Sequence, residues 1–204
     1  MEHYVTAQQY LNMERSAESK SEYVHGEIVA MAGATEAHNL VVTNVLRELS
    51  TQLKGRPCRT YPSDMKVEVG LDSLFCYPDV SVVCGEPQFH DKHHDMVRNP
   101  CLIVEVASRS TEAYDRGAKF AQYRRLASLT DYILISTVEM RIEHYTRQHD
   151  DRWLLSDVPG GQQSVKIASL NCELEMSEVY DRVDLPVSVQ LEATLSSDRD
   201  DTAS

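Results

Sequence analysis

The chain has 204 residues, of which 42% are hydrophobic and 25% charged, and this composition is typical of one globular domain with a substantial core. No stretch approaches the roughly 20 apolar residues that cross a bilayer, and the amino terminus lacks the basic-then-apolar pattern of a secretion signal. The formal net charge of −12 disfavours nucleic-acid binding without excluding it, because proteins that bind phosphates usually carry a basic face.

The five cysteines are odd in number and form no C-x-x-C pair. Together with the missing signal pattern, they predict free thiols and a cytoplasmic location. Cys84 and Cys101 flank strand-like apolar runs and are interpreted as small hydrophobic residues of the core.

The first third of the chain predicts two helices and an extended segment. Residues 6–13 form a short helix in this interpretation, with Thr6 as its N-cap. Residues 22–31 predict two extended pieces around a turn at Gly26. Residues 35–54 have apolar side chains at helical spacing, which predicts a long amphipathic helix.

Strands dominate the middle of the chain. Residues 61–69 alternate as one strand, and the apolar runs 76–83 and 102–106 predict two further strands. The run 102–106 lacks alternation, as expected of a strand that is covered on both faces. The polar segment 85–99 is rich in His, Asp and Lys and predicts a solvent-facing loop.

The remaining segments predict one more helix and a β meander. A helix capped by Ser110 or Thr111 extends to about residue 126, and residues 131–136 form a buried strand. Alternating residues follow at 141–146 and 152–157. The order predicts a mixed α/β layered fold in one domain, 1–185, followed by an acidic and disordered tail, 186–204.

Each of the two central apolar runs contains one acid, Asp79 or Glu105. A carboxylate within a buried strand costs several kcal/mol, of the order of one ion's desolvation, unless a cation, a proton or a partner neutralises it. Two such carboxylates on neighbouring strands supply oxygen ligands for one hard divalent cation. This is the minimum arrangement for metal-assisted hydrolysis of a phosphodiester.

An ordered series of short motifs resembles the Uma2 family, within the PD-(D/E)XK restriction-endonuclease-like superfamily. The resemblance spans roughly residues 5–182. The motifs are Tyr23-x-x-Gly26-Glu27-Ile28, Tyr61-Pro62-Ser63-Asp64, Tyr77-Pro78-Asp79-Val80, Pro100-x-Leu102-Ile103-Val104-Glu105-Val106 and Ser108-x-Ser110-Thr111-Glu112-x-x-Asp115-Arg116-x-x-Lys119-x-x-x-Tyr123.

The resemblance implies a mixed sheet flanked by helices, a restriction-endonuclease-like core with an added β meander, and a nuclease site that uses Mg²⁺ or, as a substitute, Mn²⁺. Asp79, Glu105 and the backbone carbonyl of Val106 would hold the metal. The superfamily's lysine normally lies two residues beyond the acid, where this chain has Ala107. Lys119, on the following helix, takes that role in the family pattern.

Each of these residues also has a purely structural interpretation. Asp79 follows a proline and would accept local hydrogen bonds at the start of a strand. Glu105 would form a structural ion pair with a lysine. Lys119 lies four residues after Asp115, and this spacing is that of a solvated helical ion pair worth about 0.3–0.5 kcal/mol.

Four residues are supporting candidates: Glu27, Asp64, Asp115 and Tyr123. The histidine-rich segment 90–95 lacks the ligand spacing of a transition-metal site and is interpreted as a solvated loop. His38, near the start of the long helix, is interpreted as a core or capping histidine rather than a catalytic one.

The leading hypothesis is therefore a Mg²⁺-dependent endonuclease that hydrolyses DNA, with Asp79, Glu105 and Lys119 as its catalytic residues. A nuclease fold retained as a catalytically inactive binding module is the alternative, which the net charge and Ala107 favour. RNA and small nucleotides remain open as substrates. A homodimer would suit the cutting of two strands, and no membrane association is expected.

Overall fold

Two β-sheets and a set of short helices make up the fold. The computed structural model describes residues 4–161 and 163–186. The helices are α1 (Ala7–Glu14), α2 (Glu36–Gln52), α3 (Glu112–Tyr114), α4 (Phe120–Tyr123) and α5 (Met176–Val179), with a π-helical turn (Asp115–Lys119) joining α3 to α4 and a 3-10 turn at Ala168–Leu170.

The strands are β1 (Ser21–Val24), β2 (Glu27–Ala30), β3 (Cys58–Pro62), β4 (Lys66–Val69), β5 (Leu74–Cys76), β6 (Val80–Cys84), β7 (Met96–Val97), β8 (Leu102–Ala107), β9 (Asp131–Ser136), β10 (Arg141–Arg147), β11 (Trp153–Pro159), β12 (Ser164–Ile167) and β13 (Cys172–Glu175). One sheet has six strands in the order β11-β10-β9-β8-β6-β3, and the other has five in the order β2-β1-β5-β4-β7. Both are mixed, since β8–β9 and β4–β7 are parallel pairs. The predicted mixed α/β fold flanked by helices is confirmed.

The two layers around the six-stranded sheet follow from the periodicity of α2 and β8. Val41, Val45 and Leu49 of α2 are fully buried against one face of this sheet. Along β8 the side chains alternate, as they must in a strand. Leu102, Val104 and Val106 join the α2 layer, whereas Ile103 and Ala107 face the layer that contains the five-stranded sheet and α4. The prediction that this strand is covered on both faces is confirmed.

The start of α1 agrees with the predicted capping residue, and α2 begins after a threonine cap that the sequence analysis did not single out. Thr6 caps α1 with a capping box, in which its side chain and that of Gln9 bond to each other's backbone N–H. Thr35 accepts from the His38 N–H at the start of α2. Thr111 does not cap α3, contrary to the prediction, because its backbone is already helical and its hydroxyl accepts from the Ser108 N–H at 3.1 Å.

Two predicted strands are each divided between the two sheets, so these predictions were wrong in extent. The segment 61–69 breaks at residues 63–65, and its halves are β3 and β4. The segment 76–83 breaks at residues 77–79, and its halves are β5 and β6. Pro62 and Pro78 lie at the breaks, where a residue without an N–H cannot donate to a ladder.

The segment 85–99 is more ordered than the predicted solvent-facing loop. It contains β7, whose Met96 and Val97 are fully buried and pair with β4. Arg15 of the α1 end bonds to Asp91 at 2.8 Å and to Asp95 at 2.9 Å. Tertiary pairing and this ion cluster hold a segment whose composition alone is typical of a loop.

Cys58 and Cys84 form a disulfide across the β3–β6 pair, where they are directly opposed in register. The prediction of free thiols, and of Cys84 as a core hydrophobic residue, was therefore wrong for this pair. Cys76, Cys101 and Cys172 are free. Since the cytoplasmic location was inferred partly from free thiols, it stays a prediction.

Reduction of this disulfide is expected to lower the free energy of unfolding by about 2–4 kcal/mol, because the bond closes a loop across 26 residues of sequence and limits the unfolded chain. Urea unfolding with and without dithiothreitol measures the difference. The double variant Cys58→Ala/Cys84→Ala should unfold identically in both buffers. A wild-type midpoint that dithiothreitol leaves unchanged would contradict the prediction.

Among residues 4–161 and 163–186, no helix has the length and apolar character needed to cross a membrane. The predicted acidic tail, 186–204, lies outside the described residues except for Pro186.

Candidate metal-dependent active site

Glu105 is the buried centre of the candidate site. It lies on β8, on the face that looks toward the five-stranded sheet and α4, and only 4% of it is exposed. Its Oε1 atom is 2.9 Å from Lys119 Nζ and accepts a hydrogen bond of 2.7 Å from the Tyr123 hydroxyl. The strand therefore presents a carboxylate that two groups of one helix bind directly.

The helical run 112–123 positions Lys119 and Tyr123 over β8. Lys119 ends the π-helical turn, and Tyr123 ends α4, so one turn of helix separates them. Such π-helical turns are frequent at functional sites because the wider turn re-aims side chains. Lys119 Nζ also lies 3.4 Å from Glu22 Oε1 of β1, which connects the two sheets through one ammonium group.

Asp79 lies directly before β6, next to the end of β8. Its Oδ2 atom accepts a 2.7 Å hydrogen bond from the Val106 N–H, and this bond fixes the carboxylate beside the residue that follows Glu105. His38 Nε2 of α2 is 3.2 Å from the same oxygen. Asp79 is more open than Glu105, with 16% of its side chain exposed.

The electrostatics favour a proton or a cation at Glu105. Burial raises its pKa to about 8; Lys119 opposes this shift, while the charges of Asp79, Asp115 and Glu22 add to it. Burial likewise raises the pKa of the Asp115 carboxyl. Burial lowers the pKa of Lys119, but the surrounding carboxylates outweigh it and hold that pKa well above its usual value.

Acids outnumber ammonium groups around Glu105. The charges of Asp79, Asp115 and Glu22 all raise its pKa, and the ammonium of Lys119 is attracted by Glu105, Glu22 and Asp115. Carboxylate oxygens are the ligands that Mg²⁺ and Mn²⁺ prefer. The donor set of Asp79 and Glu105 thus fits a hard divalent cation, which would replace the proton that burial otherwise favours on Glu105.

Sequence reasoning missed two residues of this group. Glu22 was not singled out because it lies in a short strand beside the Tyr23 motif. In the structure it is buried, and its Oε1 atom accepts a hydrogen bond of 3.1 Å from the Tyr77 N–H. His38 was interpreted as a core or capping residue, but its ring contacts Asp79. Its position on the first turn of a helix gave no sign of this contact, which depends on how α2 packs on the six-stranded sheet.

Two of the supporting candidates lie outside the group. Glu27 is exposed on β2, the edge strand of the five-stranded sheet. Asp64 has 81% of its side chain exposed and forms an ion pair with Lys20. The resemblance marked both positions, but the structure brings neither carboxylate to Glu105.

A second group of potential ligands, Glu68, Asp72 and His90, has side-chain ligand atoms within 4.8 Å of one another. Its buried carboxylate is already occupied: Glu68 Oε2 lies 2.9 Å from Arg98 Nε and 2.8 Å from His90 Nδ1. Because a guanidinium neutralises Glu68, this group has less need of a metal than the acids around Glu105.

Comparison with known proteins places the chain in a family. Residues 7–180 match the Uma2 family model, described as "Putative restriction endonuclease". The chain belongs to the Uma2 family. Two uncharacterized proteins of Synechocystis sp. are similar to it: sll1609 is 37% identical over 164 residues, 80% of this chain and 93% of the relative, and slr1290 is 32% identical over 176 residues, 86% and 91%.

A crystal structure from Anabaena variabilis has the same fold as this Uma2 protein. That structure is described as "a putative nuclease belonging to DUF820". It superposes with a TM-score of 0.71 at 16% sequence identity and covers 86% of this chain and 97% of its own. At this identity the likeness shows the fold and does not establish the reaction.

Proposed function

We propose that this Uma2 protein is a divalent-metal-dependent endonuclease that hydrolyses phosphodiester bonds, with DNA as its substrate. One observation carries the proposal: Lys119 Nζ lies 2.9 Å from Glu105 Oε1, next to the Asp79 carboxylate that Val106 fixes. Two carboxylates and Lys119 thus lie together. Lys119 comes from the following helix, whereas the position two residues after the acid, where the superfamily has its lysine, is Ala107.

Asp79 and Glu105 would hold Mg²⁺ or Mn²⁺, with the Val106 carbonyl as a third proposed ligand. When bound, the ion lowers the pKa of a water molecule and neutralises charge on the scissile phosphate. The N–H of Val106 orients Asp79, and the Tyr123 hydroxyl orients Glu105. Both carboxylates are thus held in place before substrate arrives, as an efficient site requires.

Lys119 would supply positive charge where negative charge develops on the phosphate. Its ammonium is almost fully buried, and carboxylates keep it protonated. A charge in such a water-poor position acts more strongly on the transition state than the same charge in water. Asp115, within the same helical run, would tune this charge rather than contact the substrate.

The proposal is tested by cleavage of plasmid DNA and a short duplex in Mg²⁺ or Mn²⁺, beside the Asp79→Asn protein. Wild-type protein is expected to cut in either metal and not in EDTA, and Asp79→Asn to lose the cutting. Failure of folded wild-type protein to cut with any divalent cation would overturn the proposal and favour the inactive binding module. Cleavage of RNA but not DNA would support the assignment of the active site and show that RNA, rather than DNA, is the substrate.

Lys119→Met is expected to lower the single-turnover cleavage rate by about 10²–10³-fold, the usual loss when one preorganised charge or donor at a reacting phosphate or carbonyl is removed. Rates are measured at saturating Mn²⁺, with folding checked by circular dichroism. Lys54→Met, at an exposed position after α2, is the matched control and should cut at the wild-type rate. Near-wild-type cleavage by Lys119→Met would refute the role assigned to the ammonium.

A homodimer completes the proposal. Two sites are needed to cut both strands of a duplex in one encounter, and two-fold dimers are the commonest protein assemblies. Sedimentation of the protein with and without duplex DNA measures the oligomeric state directly.

A further inference from the structure

A groove of about 820 Å³ lies on the surface, and its lining, in which arginines dominate, includes neither Asp79 nor Glu105. We name it the arginine groove. Its basic side chains come from the end of α4, from β10 and from the turn before β11, and aromatic rings form its floor. The defining residues are Arg124, Arg125, Arg147, Arg152, Phe120 and Trp153.

The charge of the groove is opposite to that of the molecule. Four guanidinium groups line it together with one carboxylate, Asp151, in a chain whose formal net charge is −12. Arg124, Arg125 and Arg152 are exposed. Arg152 forms an ion pair with Asp150 at 2.5 Å, yet 83% of its side chain remains accessible. Such a local reversal of sign attracts a polyanion that the rest of the surface repels.

Arg147 fixes the shape of the groove. The guanidinium of Arg147 packs on the Trp153 ring, 5.1 Å from the ring centroid, and donates to the carbonyls of Arg124 and Leu126. It therefore ties β10 to the end of α4. The exposed arginines at 124 and 125 project from this fixed chain end, which lowers the entropic cost of binding a ligand.

The groove and Glu105 share one face of the six-stranded sheet. Ile103, Tyr132, Tyr145 and Leu155 form one row across β8, β9, β10 and β11, and Glu105 lies two residues further along β8. Three strand spacings separate β8 from β11, about 14 Å. At a rise of about 3.4 Å per base pair along the axis of a duplex, this spacing corresponds to about four base pairs.

The same helical run serves both places. Lys119 and Tyr123 contact Glu105, while Phe120 and Arg124, the residues that directly follow each of them, line the groove. A strand whose scissile phosphate lies at Glu105 would pass over this run to reach the arginines.

We propose that the arginine groove binds the phosphodiester backbone of the nucleic-acid substrate a few nucleotides from the bond that is cut. This inference rests on the proposed nuclease function and adds to it the surface that holds the substrate. Guanidinium groups bind phosphates in a bidentate manner, and they do so without reading sequence. The groove would thus supply affinity and register rather than specificity.

Binding of a fluorescein-labelled 20-base-pair duplex, measured by anisotropy in the Glu105→Gln background, tests the groove without cleavage. The triple variant Arg124→Gln/Arg125→Gln/Arg152→Gln is expected to bind about tenfold more weakly or worse at low salt. Its slope of log affinity against log salt should fall by about one for each phosphate that the variant no longer neutralises. The corresponding triple Arg→Lys variant retains the charges and should keep the wild-type salt slope, while it loses the part of the affinity that comes from bidentate contacts.

Arg59→Gln is the control, because Arg59 is exposed on β3, at the opposite edge of the same sheet, and should leave binding unchanged. A triple Gln variant that melts like wild type but binds with wild-type affinity and salt slope would overturn the proposal for the groove.

Hydrolysis of bis(p-nitrophenyl) phosphate, which is too small to reach the groove, reports on the active site alone. Wild-type protein that fails to hydrolyse it with Mn²⁺ counts against the nuclease proposal, whereas equal hydrolysis by wild type and triple variant with weakened duplex binding supports the groove.

Discussion

Glu105→Gln is expected to reduce metal-dependent cleavage by about 10³-fold or more. The metal contributes several kcal/mol to stabilising charge in the transition state, and each 1.36 kcal/mol corresponds to about one factor of ten in rate. Glutamine keeps the size of the side chain and an oxygen that can accept from Tyr123, so the change removes charge with little loss of packing. The measurement is a single-turnover cleavage rate across a range of Mn²⁺ concentrations.

A comparison of two variants distinguishes this site from the Glu68 group. If the catalytic ion lies at Asp79 and Glu105, Asp72→Asn should cut like wild type, because its carboxylate belongs only to the other group. Asparagine tolerates the left-handed backbone at this position, where φ is 51°, so the control should not disturb the turn. Loss of cleavage in Asp72→Asn together with survival in Glu105→Gln would move the metal to Glu68 and refute the assignment.

The second large effect is on stability. In metal-free buffer Glu105→Gln is expected to be more stable than wild type at pH 8, by a few kcal/mol, and nearly equal to it close to pH 4.5. The pKa of Glu105 is about 8 in the folded protein and 4.5 in its unperturbed state. As the pH rises between these values, the unfolded chain loses the proton while the folded protein retains it. The free energy of unfolding of wild type therefore falls across this window, and glutamine removes the effect.

Urea unfolding in EDTA at pH 5 and pH 8 measures this difference. Glu27→Gln, an exposed acid on β2, is the matched control and should leave the pH dependence of wild type unchanged. A stability difference between Glu105→Gln and wild type that is the same at both pH values would contradict the prediction, since it would not arise from the carboxyl proton.

Metal binding should offset the cost of burying the charged Glu105 carboxylate, and it should do so in wild type but not in Glu105→Gln. A divalent cation that binds the folded state stabilises it by about 2.7 kcal/mol at one hundred times its dissociation constant. Mg²⁺ or Mn²⁺ is therefore expected to raise the thermal midpoint of wild type at pH 8 and to leave Glu105→Gln unchanged. An equal rise in both proteins would place the ion elsewhere.

The fold class and several elements could be predicted from local sequence alone. Thr6 and Thr35 precede the helices α1 and α2, and the spacing of the apolar side chains of α2 marks the face that packs on the sheet. The uniform apolar run of β8 indicated a strand that is covered on both faces, and it made Glu105 anomalous. These properties depend on neighbours within one or two turns or on strand alternation, which the sequence contains directly.

The tertiary structure decided how these elements combine. Two proline-containing segments divide their strands between two sheets, because the chain can leave one ladder wherever an N–H is missing. The β3–β6 register places Cys58 opposite Cys84, although 26 residues separate them along the chain. Spacing in the sequence could not reveal this pairing, since a register is fixed by long-range hydrogen bonds.

Some residues of the candidate site could be identified from the sequence, and others only from the tertiary structure. The sequence marked Asp79, Glu105 and Lys119 through charge in apolar runs and through family motifs, but Glu22 and His38 became visible only with the three-dimensional arrangement. Glu22 reaches Lys119 because the five-stranded sheet packs over the six-stranded one. His38 reaches Asp79 because α2 packs on the six-stranded sheet with its first turn beside the residue before β6. A sequence determines which side chains are costly to bury; the packing of its sheets and helices determines which groups offset that cost.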